Sequence, residues 1–259
     1  MTLALVLVIA VTACAPSGGT ATVGREGEQP GASAVPRTLV AAVKVEPSAL
    51  GSQAPLPGGQ SKSLLQGMFS AELGIPDQND VAQPMLVEAL PQLNSDDWRV
   101  FPDGRMETTY RLRPNLTWHD GTPLSAEDFV FSRSVFRTPQ FGLANQPPFQ
   151  AMEEVTAPDP RTLVIQWRTP YPDAAGFTRQ GSFPAIPRHL LEAAFETESP
   201  EVFANRTYWN REFVGLGPYR LDRWEPGSFL EATAFDGHGV PSRPTPGQTV
   251  LAFHAALGE

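Results

Sequence analysis

The alternation of apolar and polar side chains along the chain predicts many short strands. From Met106 to Arg113 apolar or uncharged side chains alternate with charged or polar ones, which predicts a half-exposed strand. Thr162–Trp167 alternates in a similar way. Tyr219–Trp224 and Phe229–Phe235 predict a hairpin that turns at Glu225-Pro226-Gly227. The pattern therefore indicates a substantial β content.

Other periodicities predict two further strands and several helices. Thr38–Val45 is almost continuously apolar, which predicts a strand buried on both faces, and Thr249–Phe253 predicts the last strand. Apolar side chains at helical spacing predict a helix within Ser61–Phe69. Ser125 and Asp128 have the spacing of a capping box, which predicts a helix that begins after Ser125.

Proline content and overall composition narrow the fold class. The 27 prolines are about twice the usual share of roughly 5%, which argues against a long helical bundle. Pro187 and Pro200 are each predicted in the first turn of a short helix. With 41% hydrophobic residues the chain is too apolar to be disordered. Together with the predicted strands and short helices, these features indicate a mixed α/β or α+β domain.

Charge and cysteine content exclude some functions. The formal net charge of -9 argues against a nucleic-acid-binding protein that works through a basic face. A single cysteine excludes a disulfide framework and a cysteine-rich metal site.

The first 36 residues predict export and a tether. The apolar run Leu3–Val11 is too short to cross a bilayer, which needs about 20 helical residues, but it fits the core of a signal peptide. Val11-Thr12-Ala13-Cys14 resembles the bacterial lipobox, which implies a signal peptide over residues 1–14 and a lipid on Cys14. Residues 15–36 are rich in Pro, Gly, Ser, Thr and Ala and predict a flexible linker. The alternative is a buried core segment with an inert thiol.

No group of residues predicts catalysis, so we expect a protein that is not an enzyme and needs no cofactor or metal. His119 and Asp120 are adjacent in a turn and are better explained as turn residues than as metal ligands. Gly215-Leu216-Gly217 is too short for a dinucleotide loop and precedes a strand rather than a helix. The Gly-x-Ser-x-Gly pattern of serine hydrolases does not occur.

Two segments in order carry a family resemblance. Leu112–Ser132, with Trp-His-Asp-Gly-Thr-Pro at residues 118–123, resembles a signature of the family 5 extracytoplasmic solute-binding proteins, the oligopeptide, dipeptide and nickel-type receptors of ABC importers. Val214–Gly227 is similar to a second signature of that family, with Leu216 where threonine is usual. The segments Gln66–Phe69 and Phe183–Arg188 also resemble the corresponding segments of that family. The resemblance extends over about residues 37 to 254.

The resemblance implies a fold and a domain organisation. The fold would be a lobe of a type II periplasmic binding protein with a mixed sheet. Lobe I would span residues 37–259, with an inserted subdomain at about 65–167 and a core sheet from 37–64 and 168–259. Because members of the family are usually much longer, we expect this chain to contain lobe I without lobe II.

The resemblance also implies the roles of individual residues. Motif positions expected to have structural roles are His119, Asp120, Gly121, Thr122, Pro123, Gly217, Pro218 and Tyr219. Positions expected to face the ligand cleft are Glu46, Pro47, Gly67, Met68, Phe69, Tyr208, Trp209 and Asn210. Aromatic side chains there would stack on a solute, and packing in the core is an equally open role for each of them.

Three functions remain open at this stage. The favoured hypothesis is a lipid-anchored, extracytoplasmic solute-binding component of an ABC importer. Its partners would be a peptide or another small solute and the permease subunits, its membrane contact only the lipid, and nucleic acid would not bind. The second is a stand-alone surface lipoprotein that serves as a protein-interaction or signalling module. The third, an exported hydrolase, has little support in the sequence.

Overall fold

In the computed structural model, ten strands form three sheets within the part of the chain that the structure describes. The described residues are 38–43, 46–51, 66–178, 181–238 and 248–253, and they belong to the structural unit Pro36–Glu259.

The first four-stranded sheet joins strands from both ends of the described chain. Its strands in spatial order are β1 (Leu39–Val43), β10 (Gln248–Phe253), β9 (Phe229–Ala234) and β8 (Tyr219–Glu225). β1 and β10 are parallel, and the other pairs are antiparallel. The predicted mixed sheet is therefore confirmed, as is the β8–β9 hairpin, in which Gly227 adopts a φ of 75°.

The second four-stranded sheet comes from the middle of the chain. Its antiparallel strands are, in spatial order, β4 (Trp98–Val100), β5 (Met106–Arg111), β7 (Thr162–Trp167) and β6 (Met152–Asp159). A separate ribbon pairs β2 (Gly74–Pro76) with β3 (Ala82–Pro84).

One face of β5 contributes to the core. Met106, Thr108 and Tyr110 are buried, as their alternation predicts. Trp167 Nε1–H donates to Thr108 Oγ1 at 2.9 Å, so the polar hydroxyl in this core has a partner. The Tyr110 hydroxyl donates to the Ala174 carbonyl, which connects the sheet to the chain that follows β7.

Within the described ranges, four α-helices and three short 3-10 helices connect these strands. The α-helices are α1 (Gln66–Phe69), α2 (Ala126–Phe136), α3 (Arg188–Thr197) and α4 (Pro200–Ala204). The 3-10 helices are Pro139–Phe141, Thr207–Trp209 and Asp236–His238.

The predicted capping box at the start of α2 is confirmed. The Ser125 side chain accepts from the Glu127 N–H at 3.1 Å, and Asp128 Oδ2 accepts from the Ser125 N–H at 2.9 Å. These bonds satisfy N–H groups that a helix start leaves without partners. α2 then buries Phe129 and Phe136 and packs against β6 and α3.

Two predictions need correction. Val40 in β1 is 65% exposed, so the prediction that this strand is buried on both faces is wrong at that position, because the face of β1 that carries Val40 is open to solvent there. Pro187 is the N-cap of α3 rather than a residue of its first turn, whereas Pro200 does begin α4. The predicted N-cap at Ser61 lies outside the described residues, and the domain boundaries at about 65 and 167 stay predictions.

Candidate functional site

The Trp118–Pro123 motif forms a tight turn whose shape follows from its sequence. The Gly121 N–H donates to the Trp118 carbonyl at 2.9 Å, and the Trp118 N–H donates to the Thr122 carbonyl at 2.8 Å. Asp120 Oδ1 accepts from the Thr122 N–H at 2.9 Å. Gly121 adopts a φ of 88°, a conformation that glycine takes without steric cost. The predicted turn is therefore confirmed.

His119 connects this turn to the second motif. The His119 backbone N–H donates to the Gly215 carbonyl at 3.0 Å, and the Gly215 N–H donates to His119 Nδ1 at 3.1 Å. His119 Nε2 lies 3.0 Å from the Gly217 carbonyl. A ring that accepts at Nδ1 and donates at Nε2 is a neutral imidazole with its proton on Nε2. Its side chain is buried, with 4% of the residue exposed.

The same glycine segment packs directly on the end of α1. The Gly217 N–H donates to the Phe69 carbonyl at 3.0 Å. A Cβ on Gly217 would lie 2.4 Å from the Phe69 carbonyl carbon, and one on Gly215 would lie 2.0 Å from the Phe69 oxygen. Only glycine fits at these two positions without a backbone shift. The two motifs and α1, distant in sequence, therefore meet at one place.

A hollow of about 20 Å³ lies beside this junction. By the same measure one water needs roughly 10–15 Å³, so the hollow holds about one water or methyl-sized group. Its wall, named here the capture wall, includes Ser70, Trp118, Ile186, Tyr208, Trp209 and Leu216. None of the lining residues carries a charge, and most of the lining is apolar or aromatic. Such a wall favours uncharged or aromatic parts of a ligand.

The Asp128 carboxylate connects the wall residue Trp118 to the start of α3. Asp128 Oδ1 accepts from the Arg188 N–H at 3.0 Å, and Asp128 Oδ2 is 3.4 Å from Trp118 Nε1. Burial raises the Asp128 pKa, although these hydrogen bonds oppose that effect. Burial, together with the charges of Asp120 and Asp128, also raises the pKa of Tyr208 well above its ordinary value. Its neutral hydroxyl donates to the Val214 carbonyl at 2.9 Å.

The structure brings together only some of the predicted ligand-contact residues. Tyr208 and Trp209 line the capture wall, although only 7% of the surface of Tyr208 and 2% of that of Trp209 is exposed. The ring of Phe69 is fully buried and packs in the core. Gly67 is exposed, whereas Met68 and Asn210 are half-buried. For all of these residues a ligand contact stays a prediction.

Glu46 lies at a different contact, the β8–β9 hairpin. Its Oε1 accepts from Trp224 Nε1–H at 2.7 Å, and its Oε2 accepts from the Gly227 N–H at 2.9 Å. Pro47 follows it and is half-buried. Both carboxylate oxygens of Glu46 are therefore engaged within the protein, and its predicted ligand contact remains a prediction.

Sequence reasoning missed two residues of the capture wall and one contact of the Trp118–Pro123 turn. Ser70 and Trp118 line the capture wall, and each directly adjoins a predicted site residue. The sequence patterns did not single out His189, but its Nε2 lies 2.7 Å from Asp120 Oδ2. That contact joins residues 69 positions apart, and no local pattern indicates it. Adjacency to a motif was the one available signal, and it applied to Ser70 and Trp118.

Among the described residues, no group of three or more His, Cys, Asp or Glu side chains is placed to hold a metal ion. No helix in the described ranges is both long and apolar enough to cross a membrane.

Comparison with known proteins identifies relatives. The chain is 27% identical over 226 residues to the periplasmic murein peptide-binding protein MppA of Escherichia coli K12. The matched region covers 80% of this chain and 40% of MppA. The chain superposes with a TM-score of 0.65 on NikZ from Campylobacter jejuni in complex with Ni(L-His), at 24% identity over 84% of this chain and 39% of NikZ. AppA from Bacillus subtilis in complex with a nonapeptide also gives a TM-score of 0.65, at 17% identity over 84% of this chain and 40% of AppA.

These relatives define the fold, and a family model defines the family. The fold is that of part of a type II periplasmic binding protein. The chain spans between 23% and 40% of the length of the curated relatives that it matches. The model described as bacterial extracellular solute-binding proteins, family 5 Middle, matches residues 88–249. Because this match covers more than half of the sequence, the chain belongs to the family 5 bacterial extracellular solute-binding proteins.

Proposed function

We propose that this chain takes part in capturing a peptide or a similar small solute for an ABC importer. Membership of the family supports this role, and so does a relative that is named as a peptide-binding protein. The chain would then act by binding rather than by catalysis. It would pass its solute to permease subunits on the extracytoplasmic side of the membrane.

The capture wall is the observation that carries this proposal. Two sequence motifs and the end of α1 converge on it, and its lining is uncharged and rich in aromatic side chains. Aromatic rings supply rigid contact area at a low entropic cost. A wall of this kind suits the uncharged side chain or backbone of a peptide better than it suits an ionic group.

The size of the hollow determines how a solute would bind. About 20 Å³ accepts one small group and cannot enclose a peptide. Solutes of this class usually bind in clefts that close between two lobes. We therefore propose that the capture wall is one side of such a cleft, and that the chain alone binds solute weakly.

We further propose that the protein is held at the membrane by a lipid on Cys14. The apolar run Leu3–Val11 and the small residues before Cys14 support a lipobox. Two or more acyl chains, each contributing about 0.8 kcal/mol per buried methylene, give stable anchoring. The linker predicted over residues 15–36 would then separate the domain from the bilayer.

Calorimetry with defined peptides tests the proposed function. The whole chain is titrated with pools of tripeptides to nonapeptides up to millimolar concentration. We expect measurable heats for the wild-type chain. Asn210→Ala should bind about tenfold more weakly, a loss of about 1.4 kcal/mol in binding free energy. Asn205→Ala is the matched control, because Asn205 is an exposed amide on the nearby end of α4.

Absence of heat from every pool, with the chain folded by circular dichroism, would contradict solute capture and favour the stand-alone lipoprotein. Equal effects of the two asparagine substitutions would place the solute away from Asn210. Metal-dependent hydrolysis that His119→Ala abolishes would instead support an exported hydrolase.

A further inference from the structure

His119 belongs to the first motif, and both of its ring nitrogens form hydrogen bonds with the second motif. Gly215 N–H donates to Nδ1 at 3.1 Å, and Nε2 lies 3.0 Å from the Gly217 carbonyl. The ring is buried and also contacts Phe235 edge-on, with centroids 4.9 Å apart. A side chain in this position does more than complete a turn.

We propose that His119 is a positioning residue for solute capture, whose neutral imidazole fixes the Gly215–Gly217 segment against the capture wall. The proposal rests on the proposed function. It assigns to His119 a role that acts through the glycine segment and not through contact with solute.

The imidazole matches the segment because it offers an acceptor and a donor on different sides of one rigid ring. Gly215 supplies the N–H and Gly217 supplies the carbonyl, two residues apart on one backbone. The His119 N–H adds a third bond to the Gly215 carbonyl at 3.0 Å. Since these groups are buried, each bond that is lost leaves a polar atom with neither a protein partner nor water.

The segment that His119 holds reaches both sides of the hollow. Gly215 and Leu216 line the capture wall themselves. Gly217 binds the Phe69 carbonyl, directly before the wall residues Ser70 and Ala71. A shift of this segment would therefore move the α1 side of the wall together with the Leu216 side.

Protonation of the ring provides a way to test this role. A protonated imidazole has no acceptor, so its Nδ1–H would face the Gly215 N–H and break that contact. Histidine ordinarily changes charge between about pH 5 and pH 8. Titratable groups near His119 are its neighbour Asp120, His189 against Asp120, Asp128 against Trp118, Tyr208, which the charges of Asp120 and Asp128 affect, and Asp236 beside Phe235. The second histidine in this set, His189, supplies the control variant.

The experiment combines ¹⁵N NMR of the His119 ring with peptide affinity from calorimetry as a function of pH. For the wild-type chain we expect the tautomer with its proton on Nε2 at neutral pH. As the ring is protonated, affinity should fall. His119→Phe should weaken binding about tenfold at neutral pH and remove this pH response. His119→Gln, which keeps a donor and an acceptor, should restore part of the affinity and show no pH response.

His189→Gln should keep the pH response of the wild-type chain. If His119→Phe binds peptide as tightly as the wild-type chain does, the positioning role is overturned. A proton found on Nδ1 of His119 at neutral pH would overturn it as well. Absence of peptide binding by the wild-type chain would instead overturn the proposed function on which the role rests. If His119→Phe does not fold, the wild-type tautomer and the His119→Gln profile still decide the matter.

Discussion

At the scale of single residues, Asp128 connects three elements through one carboxylate. It accepts from the Ser125 N–H before α2, from the Arg188 N–H at the start of α3 and, at 3.4 Å, from Trp118 Nε1–H. The residue is 5% exposed. A buried acceptor with this many partners positions the two helix starts relative to the capture wall.

We expect Asp128→Ala to lower the free energy of unfolding by about 2 kcal/mol, because it leaves buried donors without an acceptor. Glu127→Ala is the matched control in the same helix turn, and its exposed side chain should contribute only about 0.3 kcal/mol through the helix dipole. Urea unfolding measures both. Equal losses for the two variants would contradict the role assigned to Asp128.

The pH dependence of this loss has a definite sign. Burial raises the pKa of Asp128 in the folded chain above that in the unfolded chain, so the folded state binds the proton more tightly. Wild-type stability relative to Asp128→Ala is therefore greatest below the unfolded pKa and declines as pH rises through the folded pKa. Unfolding measured between about pH 3 and pH 7 should show this decline. A difference that grows with pH would oppose it.

Gly217 shows how closely two backbones approach at the site. A Cβ there would lie 2.5 Å from the Met68 oxygen and 2.6 Å from the Ser70 nitrogen. Gly217→Ala should therefore lower the free energy of unfolding by about 3 kcal/mol, since backbone atoms must shift. Gly67→Ala is the control, because its Cβ meets nothing within 4 Å and its residue lies in α1. Chemical unfolding that finds both alanines equally tolerated would refute this packing.

At the scale of elements, the β8–β9 hairpin is held by Glu46 from the chain that follows β1. We expect Glu46→Ala to lower the free energy of unfolding by about 1 kcal/mol, because the partly buried Trp224 N–H loses its acceptor, whereas the exposed Gly227 N–H can bond to water. Glu225→Ala, on the hairpin itself, should lose only about 0.5 kcal/mol with its exposed ion pair to Arg223.

Stability and peptide affinity, measured together, separate two roles of Glu46. Lower stability with unchanged affinity supports a structural role. Unchanged stability with lower affinity would support the predicted ligand contact instead.

Elements with strong local patterns were predictable from the sequence. The capping box fixes the start of α2 within a few residues, and the alternation in β5 reports which side chains are buried. The exposure of Val40 was not predictable, because an apolar run does not state which faces of its strand are covered. The pairing of β1 with β10 likewise joins segments from opposite ends of the described chain.

The site was predictable only in outline. Motif resemblance singled out His119 and Gly217, but it could not show that the ring of one binds the carbonyl of the other across 98 positions. Phe69 was a natural candidate for stacking on a solute, yet its ring is fully buried and it is not part of the capture wall. Whether an aromatic side chain faces a cleft or the core depends on tertiary packing, which a local pattern does not specify.

At the scale of the whole molecule, the proposed anchor at Cys14 gives a test in cells. Cys14→Ser removes the thiol that would carry the lipid, so we expect the protein to move from the membrane fraction to the soluble extracytoplasmic fraction. Metabolic labelling with a radioactive fatty acid should label the wild-type chain and not the variant. Ser17→Ala, in the predicted linker, is the control. Unchanged membrane association of Cys14→Ser would contradict the lipobox.

The capture wall is the central claim, and NMR mapping tests it most directly. The ¹⁵N-labelled chain is titrated with the peptide pool that gives the largest heat in calorimetry, and backbone amide shifts are followed. The account predicts shifts concentrated at Ser70, at Tyr208 and Trp209, and at Gly215 and Leu216. Shifts confined to the β4–β5–β7–β6 sheet, or a spectrum unchanged at millimolar peptide, would contradict it.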